Sequence, residues 1–425
     1  MSTLIYHLTS APYLPLTQQA GRVRLVSLLM LSVLSALSFM FLSACASLEE
    51  IQQPVAAVSF NDYQNETRKS MWQQRSFQLP DKEAELFWNA PRQWWPVNQP
   101  ENIAPKRGIL LVHGLGDSPW SFHDIARELA AQGFLVRTVL LPGHGTTPYD
   151  MLSATAEQWQ NVVYQQARVL QDDVDGEIFL GGFSTGANLA LEYAYRHPDV
   201  AGLVLFSPAF KTTSLDWLAP VIAKVRPWLR SPEQGDAMQT PLRYLNVPAN
   251  GFAQFYRTSV TARRLLDRPY NKPVFMVVAE HDSVLNTRYL LDVFQQRFVH
   301  AQSRLIWYGA KPDNLIDEKR IFIRTDKLPQ ERISQFSHMG LLFAPDNPLY
   351  GREGSQRICA NGLNSTRRQA CEQGAKVWYS DWGYSEDGKI HARLTFNPYF
   401  DWQNTVMATV LSSQSEPQFS VEYIR

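Results

Sequence analysis

A short turn flanked by glycines, Gly182-Phe183-Ser184-Thr185-Gly186, restricts the fold more than any other part of the chain. An apolar run over residues 177–181 precedes it, and residues 187–194 repeat apolar side chains at helical spacing. The pattern Gly-x-Ser-x-Gly therefore lies between a predicted strand and a predicted helix, where it forms a strained turn that exposes the serine hydroxyl. Glycine is needed at both flanks because a β-carbon there would clash with the crossing strand and helix. By itself the pattern also fits an ordinary glycine-rich turn.

Strands and helices alternate along most of the chain on both sides of this turn. Strands are predicted over residues 109–112, 134–141, 177–181, 201–206, 273–278, 304–308 and 321–324, and helices over residues 122–129, 154–170, 187–194, 291–298 and 401–411. Such alternation is typical of an α/β fold with a mostly parallel central sheet flanked by helices. Two further short segments, 75–79 and 85–88, are predicted to open the sheet as a β-hairpin.

The alternation stops between residues 211 and 271, where helices and loops are predicted without a clear strand. We interpret this stretch as a helical cap inserted over the sheet. A helical face in the cap carries apolar side chains at Leu218, Val221, Ile222, Val225 and Leu229. We expect this face to be buried against the body of the protein, and the alternative is that it faces a substrate or a membrane.

The N-terminal stretch has the pattern of an export signal. Arg22 and Arg24 precede an apolar stretch over residues 25–42, and small residues follow it. The sequence Leu42-Ser43-Ala44-Cys45 resembles the lipobox of bacterial lipoproteins, in which the cysteine becomes the first mature residue and carries the lipid. The resemblance implies an exported protein that is anchored to the bacterial membrane by a lipid, and the absence of aspartate after the cysteine favours the outer membrane. An uncleaved membrane anchor is the alternative.

The remaining two cysteines, Cys359 and Cys371, form a pair in what would be an oxidising compartment, so we predict a disulfide. Two cysteines without matching ligands do not indicate zinc. The chain has 40 basic and 40 acidic residues, and this balance gives no sign of nucleic-acid binding.

These observations divide the chain into consecutive parts. They are a signal peptide (1–44), a tether (45–70), a core in two parts (71–210 and 272–425), the cap (211–271), and a loop-rich, disulfide-bearing insertion at about 345–396.

Candidate catalytic residues follow the predicted strands. A serine hydroxyl needs a base to take its proton and an acid to orient that base. Asp282 follows an apolar strand, and His338 comes later in a loop, which gives the order Ser184, Asp282, His338. Glu280 is the alternative acid but lies nearer the strand end. His281 is interpreted as a loop residue because the base should come from a different strand.

Two loops are predicted to stabilise a negative charge on the reacting oxygen. The turn itself supplies the backbone N–H of Thr185. The loop after the first long buried strand supplies the backbone N–H of Leu115, whose glycine neighbours let the chain turn this group inwards. His113 and His144 precede the serine, and we expect them to shape the pocket floor and the loops.

Five motifs in this order resemble the α/β-hydrolase family over residues 107–342. They are His113–Gly116, Pro142–Gly145, Gly182–Gly186, Asp282 and His338. The nearest branch contains monoacylglycerol lipases, lysophospholipases and carboxylesterases. The resemblance implies a serine hydrolase of the α/β-hydrolase fold, with a cap inserted before the strand of the acid and no need for a cofactor or a metal. The chain departs from the pattern in a long gap between Asp282 and His338, and in the insertion that follows.

The combined hypothesis is a lipid-anchored serine esterase that cleaves carboxylic esters with an apolar acyl part. The membrane tether makes lysophospholipids and monoacylglycerols candidate substrates. Relatives of this architecture also cleave peptides or transfer acyl groups, and a peptidase would need an acidic cap group such as Glu233 or Asp236, for which solvated surface is the alternative role. A non-enzymatic envelope lipoprotein that uses the fold for binding is the alternative from another class.

Overall fold

A mostly parallel β-sheet with apolar clusters on both faces forms the centre of the molecule. The structure, a computed structural model, describes residues 59–97, 99–100, 103–213, 216–232 and 237–412. The predicted export signal, Cys45 and most of the predicted tether lie outside these ranges.

The sheet contains the strands predicted from the apolar runs and one strand that was not predicted, β1 (Gln93–Trp94). The predicted strands are β2 (Arg107–Val112), β3 (Phe134–Val139), β4 (Glu177–Phe183), β5 (Gly202–Phe206), β6 (Val274–Ala279), β7 (Arg304–Tyr308) and β8 (Ile321–Arg324). Within the described ranges, these eight strands have the spatial order β1-β3-β2-β4-β5-β6-β7-β8. Every neighbouring pair is parallel except β1 with β3. The predicted fold class is confirmed.

Helices connect the strands. They are α1 (Phe60–Gln74), α2 (Lys82–Asn89), α3 (His123–Ala131), α4 (Ala156–Asp173), α5 (Thr185–Arg196), α6 (Ala219–Val225), α7 (Ala249–Leu265), α8 (Thr287–Arg297), α9 (Ser365–Glu372) and α10 (Phe400–Leu411), with short 3₁₀ helices at Pro119–Phe122, Pro148–Leu152, Asp216–Leu218 and Pro329–Glu331. None of the helices in the described part is both long and apolar enough to cross a membrane.

The central strands are buried on both faces, which explains why they appear in the sequence as continuous apolar runs. In β2, Leu110 and Val112 pack into the cluster on one face of the sheet, and Ile109 and Leu111 pack into the cluster on the other. Because the strands are parallel, their carboxyl ends meet at one edge of the sheet. The loops after β2, β4 and β6 therefore converge there.

The N-terminal part of the described chain is helical, which corrects two predictions. Helix α1 occupies much of the predicted tether, and it begins at Ser59, whose hydroxyl accepts a hydrogen bond from a backbone N–H of the first turn. Phe60 and Met71 of α1 are buried, so this segment is part of the folded body. The predicted hairpin is also wrong, since residues 85–88 lie in α2, which is capped in the same way by Asp81.

The described part of the cap contains α6 and α7 and no strand, as predicted. Its apolar face, however, is largely open to solvent. Val221, Val225 and Leu229 are 60%, 75% and 48% exposed, and Leu218 and Ile222 are half-buried. The prediction that this face is buried is therefore wrong, because α6 is short and only Ala219 of it is buried. Glu233 and Asp236 lie outside the described residues.

The C-terminal insertion, for which no elements were predicted, is folded. It holds α9 and two short parallel strands, β9 (Trp378–Ser380) and β10 (His391–Arg393). The predicted disulfide between Cys359 and Cys371 is present, and both cysteines are buried in the apolar cluster of one sheet face. The insertion is therefore packed against the core.

A buried guanidinium joins three separate segments. The Nε of Arg75 donates to a carboxylate oxygen of Glu85 at 2.8 Å, and the two side chains are 2% and 0% exposed. The terminal nitrogens of Arg75 donate to the carbonyl oxygens of Gly145 at 2.7 Å and Pro241 at 2.6 Å. Arg75 therefore connects α1 and α2 to the loop after β3 and to the cap.

Replacement of Arg75 by alanine should destabilise the protein by about 3–5 kcal/mol, because it leaves the carboxylate of Glu85 buried without a counter-ion. Arg68→Ala is the matched control, since Arg68 lies on the same helix and pairs with Glu83 at 3.6 Å on the surface. The control should cost no more than about 1 kcal/mol. Denaturant unfolding of both variants measures the difference, and equal losses would contradict the role given to Arg75.

Candidate active site

The turn after β4 holds Ser184 in a backbone conformation that side chains rarely adopt, with φ 54° and ψ −116°. A β-carbon added to Gly182 would lie 2.3 Å from the carbonyl carbon of Gly186, and one added to Gly186 would lie 1.9 Å from the carbonyl oxygen of Val112. Both flanking positions therefore require glycine. The strained turn predicted from the sequence is present.

Three backbone hydrogen bonds hold Ser184 in place. Its N–H donates to the carbonyl oxygen of Phe206 at 3.1 Å, and its own carbonyl oxygen accepts from the N–H groups of Ala187 at 3.1 Å and Ala209 at 3.2 Å. These bonds come from the neighbouring strand β5, the helix α5 and the loop after β5. These hydrogen bonds offset the backbone strain and fix the position of the Ser184 Cα, from which the side chain extends.

The structure brings Asp282 and His338 together. The Nδ1 of His338 lies 2.6 Å from the Oδ2 of Asp282, and the side chains are 14% and 0% exposed. The other oxygen of Asp282 accepts from the backbone N–H groups of Val284 and Leu285 at 2.9 and 3.2 Å, which fixes the carboxylate in its turn. Because Nδ1 binds the carboxylate, Nε2 remains for exchange of a proton.

The imidazole of His338 lies beside the serine turn. Its ring centroid is 4.9 Å from that of Phe183, the residue before Ser184. The carbonyl oxygen of His338 accepts a hydrogen bond from the hydroxyl of Ser207 at 3.0 Å, which attaches the histidine loop to the end of β5. The histidine, the carboxylate and the serine turn therefore lie at the same edge of the sheet.

The two alternatives near Asp282 have other partners. The carboxylate of Glu280 accepts from the backbone N–H of Ala310 at 2.7 Å. The Nδ1 of His281 lies 2.5 Å from the Oδ2 of Asp326, and this hydrogen bond raises the pKa of His281. The side chains of Glu280 and His281 therefore bind loops other than the one that carries His338.

Two backbone N–H groups at the site have no acceptor. Among the described residues, neither the N–H of Leu115 nor that of Thr185 donates a hydrogen bond. The loop that carries Leu115 lies against the serine, since a β-carbon added to Gly114 would be 3.2 Å from the Cβ of Ser184. Unpaired N–H groups next to a nucleophile are suited to bind an oxyanion.

Two buried histidines hold this loop. The Nε2 of His144 accepts a hydrogen bond from the N–H of Gly116 at 2.9 Å, and the Nε2 of His113 accepts from the N–H of Leu141 at 3.1 Å. The two rings are 4.8 Å apart. Burial lowers the pKa of both imidazoles, so each stays neutral and keeps an acceptor nitrogen. They shape the loops, as we expected.

One carboxylate at the site has no counterpart in the sequence predictions. Asp381, in the C-terminal insertion, accepts from the N–H of Ser283 at 2.8 Å and from the N–H of His338 at 3.3 Å. Asp381 therefore connects the loop that carries Asp282 to the loop that carries His338. Burial raises its pKa. No motif in the sequence points to this residue, because its partners are backbone groups that lie far away along the chain.

The part of the chain that the structure describes contains no group of three or more His, Cys, Asp or Glu side chains that could hold a metal ion.

Comparisons with known proteins agree with the fold. The family described as serine aminopeptidase, S33, matches residues 103–310. The chain is 28% identical to the thermostable monoacylglycerol lipase of Bacillus sp. (strain H-257) over 185 residues, which are 42% of this chain and 71% of that protein. It is 22% identical to the carboxylesterase of Bacillus subtilis (strain 168) over 225 residues, 52% of this chain and 90% of that protein.

A solved structure of a soluble variant of monoglyceride lipase from Saccharomyces cerevisiae, in complex with a substrate analog, is similar at 16% identity and a TM-score of 0.41. That alignment covers 52% of this chain and 82% of the other. The sequence relatives named monoacylglycerol lipase and carboxylesterase confirm the predicted enzyme class, a carboxylic ester hydrolase.

Replacement of Asp381 by alanine should lower kcat about 10- to 100-fold with little change in KM, because the loops of Asp282 and His338 each lose a hydrogen bond to a carboxylate. Asp381→Asn keeps one acceptor oxygen and should lose less. Asp387→Ala, an exposed change in the same insertion, is the control. Steady-state kinetics on a p-nitrophenyl ester measures these effects, and an unchanged kcat in a folded Asp381→Ala protein would contradict them.

Proposed function

We propose that this α/β-hydrolase, a carboxylic ester hydrolase, cleaves esters with an apolar acyl part through an acyl-enzyme on Ser184. The observation that supports the proposal best is the pair formed by Asp282 and His338 at 2.6 Å, beside the strained turn that carries the serine. The lipase and esterase names of the relatives support the ester as the bond that is cleaved.

In the first half of the reaction, the hydroxyl oxygen of Ser184 attacks the ester carbonyl carbon while its proton passes to the Nε2 of His338. Asp282 holds the opposite ring nitrogen and stabilises the imidazolium that forms. The N–H groups of Leu115 and Thr185 bind the oxyanion, and each such donor contributes roughly 3–4 kcal/mol in comparable sites. The imidazolium then gives its proton to the leaving alcohol.

In the second half, water replaces the alcohol. His338 takes a proton from the water, and the resulting hydroxide attacks the acyl carbon of the ester on Ser184. The same two N–H groups bind the second oxyanion. His338 returns the proton to the serine oxygen as the C–O bond breaks, which releases the carboxylic acid and restores the hydroxyl.

A peptidase would require a different recognition group. An enzyme that removes N-terminal residues needs a carboxylate to bind the free amine. A cavity between the cap and the insertion is lined by four arginines, which would disfavour a cationic group there. Glu233 and Asp236, the acidic candidates of the cap, lie outside the described residues. The arginines therefore support an ester over a peptide with a free amine.

Activity of the serine is tested with a series of p-nitrophenyl esters of increasing acyl length. Ser184→Ala should lower kcat by about 10⁵- to 10⁶-fold, because no other group takes over as the nucleophile. Ser153→Ala, an exposed serine, is the control and should keep full activity. A preference for long acyl chains would point to lysophospholipids or monoacylglycerols, and a preference for short chains would point to a general esterase.

Covalent labelling with a fluorophosphonate separates an enzyme from a binding protein of the same fold. The wild type should be labelled, and the Ser184→Ala protein should not. A folded wild type that shows neither labelling nor turnover would refute the proposed activity and leave the non-enzymatic envelope lipoprotein as the better hypothesis.

We further propose that the protein is exported and anchored to the bacterial outer membrane by a lipid on Cys45. The apolar stretch over residues 25–42 and the small residues before the cysteine support this proposal. A buried disulfide between Cys359 and Cys371 is also consistent with folding in an oxidising compartment.

Cys45→Ser should abolish incorporation of radiolabelled palmitate in growing bacteria and release the protein from the membrane fraction, because the thiol is the attachment point. Cys359→Ser is the control and should remain labelled. Palmitate on the Cys45→Ser protein, or a wild type that fractionates with the cytoplasm, would contradict the anchor.

A further inference from the structure

A cavity of about 250 Å³ lies between the cap and the C-terminal insertion. The cap contributes residues 230, 231, 237 and 243–246, and the insertion contributes residues 358, 360, 368, 382 and 393. Four arginines line it within the described ranges: Arg230, Arg243, Arg368 and Arg393. No acidic residue is among its described lining residues, so the described part of its wall carries an excess of positive charge.

The cavity adjoins the catalytic loops without including the serine. Tyr244, in its wall, donates a backbone hydrogen bond to the carbonyl oxygen of Gly116 in the oxyanion loop at 2.7 Å. Arg243 contacts the sulfur of Met339, the residue after His338, at 2.8 Å. The cavity is therefore placed for a part of the substrate that extends beyond the reacting ester, since Ser184 is not among its lining residues.

Two of the arginines have only neutral partners. The acceptor of Arg243 is a thioether sulfur, which is a weak acceptor. The guanidinium of Arg393 donates to the side-chain oxygen of Asn361 at 2.8 Å and to the carbonyl oxygen of Ala360 at 3.5 Å. Among the described residues, neither arginine forms an ion pair with a carboxylate. Arg368, in contrast, pairs with Glu372 at 2.9 Å.

The carboxylates within electrostatic reach of Arg393 are already engaged. Asp282 binds His338 and two backbone N–H groups, and Asp381 binds the N–H groups of Ser283 and His338. Burial, with a smaller effect from the charge of Arg243, lowers the pKa of Arg393 to about 10, so the guanidinium is still charged at neutral pH. Arg243 and Arg393 are half-buried like charges that repel each other, and the nearby carboxylates of Asp381 and Asp282 are committed to other partners. A bound anion would offset this repulsion.

We propose that this cavity binds an anionic group of the substrate, a phosphate or a carboxylate, while the ester lies at Ser184. The proposal rests on the esterase activity proposed above. Guanidinium groups bind phosphate and carboxylate oxygens through pairs of parallel hydrogen bonds, and here two of them converge from different segments. The preferred substrates are then esters with a negative charge some distance from the reacting bond, rather than neutral acylglycerols.

Two matched substrate pairs distinguish the sources of the anion. In the first, 1-octanoylglycerol 3-phosphate is compared with 1-octanoylglycerol. In the second, the monoethyl ester of octanedioic acid is compared with ethyl octanoate. We expect the wild type to have a kcat/KM at least about 10-fold higher for the anionic member of one pair, since a hydrogen bond to a charged group contributes about 1.5–3 kcal/mol. Which pair shows the preference identifies phosphate or carboxylate.

Arg243→Gln and Arg393→Gln should each lower the ratio of anionic to neutral kcat/KM by about 10- to 100-fold. Arg243→Lys, which keeps the charge but not the paired hydrogen bonds, should retain part of the preference. Arg264→Gln removes an exposed arginine of α7 outside the cavity and should leave the ratio unchanged. A wild type without preference in either pair, or a ratio that does not change in the variants, would overturn the proposal.

A binding measurement keeps this test separate from catalysis. Glycerol 3-phosphate and octanedioate are titrated by calorimetry into the full-length Ser184→Ala protein and into the same protein with Arg243→Gln. We expect one of the anions to bind the first protein and to lose at least about 10-fold in affinity in the second. If the wild type hydrolyses neutral esters and no anion binds, the proposed role of the cavity is refuted and the proposed esterase activity stands. If an anion binds and the wild type hydrolyses no ester, the proposed esterase activity is refuted.

Discussion

The close approach of helix α5 to strand β2 is the constraint on which the rest of the site depends. With only glycine at position 186, the helix backbone comes within contact of the carbonyl of Val112. This contact sets the sharp angle between β4 and α5, and the angle forces the backbone of Ser184 into its strained conformation. The same contact orients the first turn of α5, so that the unpaired N–H of Thr185 is directed towards the loop that carries Leu115. The proposed nucleophile and the proposed oxyanion donors therefore owe their positions to the same backbone contact.

Asp282 and His338, the proposed acid and base, depend on a different kind of support. Both lie on loops, and loops need external contacts to hold a side chain to within a fraction of an ångström. Asp282 is fixed by its own turn, and His338 by Ser207 and by the carboxylate of Asp282. The C-terminal insertion adds Asp381, which holds both loops at once. The C-terminal insertion, which no sequence motif connected with the site, therefore helps to hold these two loops in place.

The strands and the strained serine turn could be predicted because each has a local signal. The strands are apolar on both faces, and Ser184 stands in a motif that only a tight turn explains. The helix over residues 85–88 was mistaken for a strand because its apolar side chains are too few to show a period. The exposed face of the cap was expected to be buried, since a helical apolar pattern indicates one face but not whether anything covers it. Asp381 could not be found because the groups that it binds are distant backbone N–H groups. Arg75 could not be found because two of its three acceptors are carbonyl oxygens far along the chain.

The position of Asp381 late in the chain also affects when the site can form during synthesis and folding. The backbone groups that it binds lie 98 and 43 residues earlier in the chain. Contacts between such distant residues form late, because the intervening chain must first be ordered. The sheet and the serine turn belong to the earlier part of the chain and can assemble without this contact. The proposed site is then completed only when nearly the whole polypeptide has been synthesised and folded. A nascent or truncated chain would therefore carry Ser184 in its strained turn while the loops of Asp282 and His338 still lacked the support of Asp381.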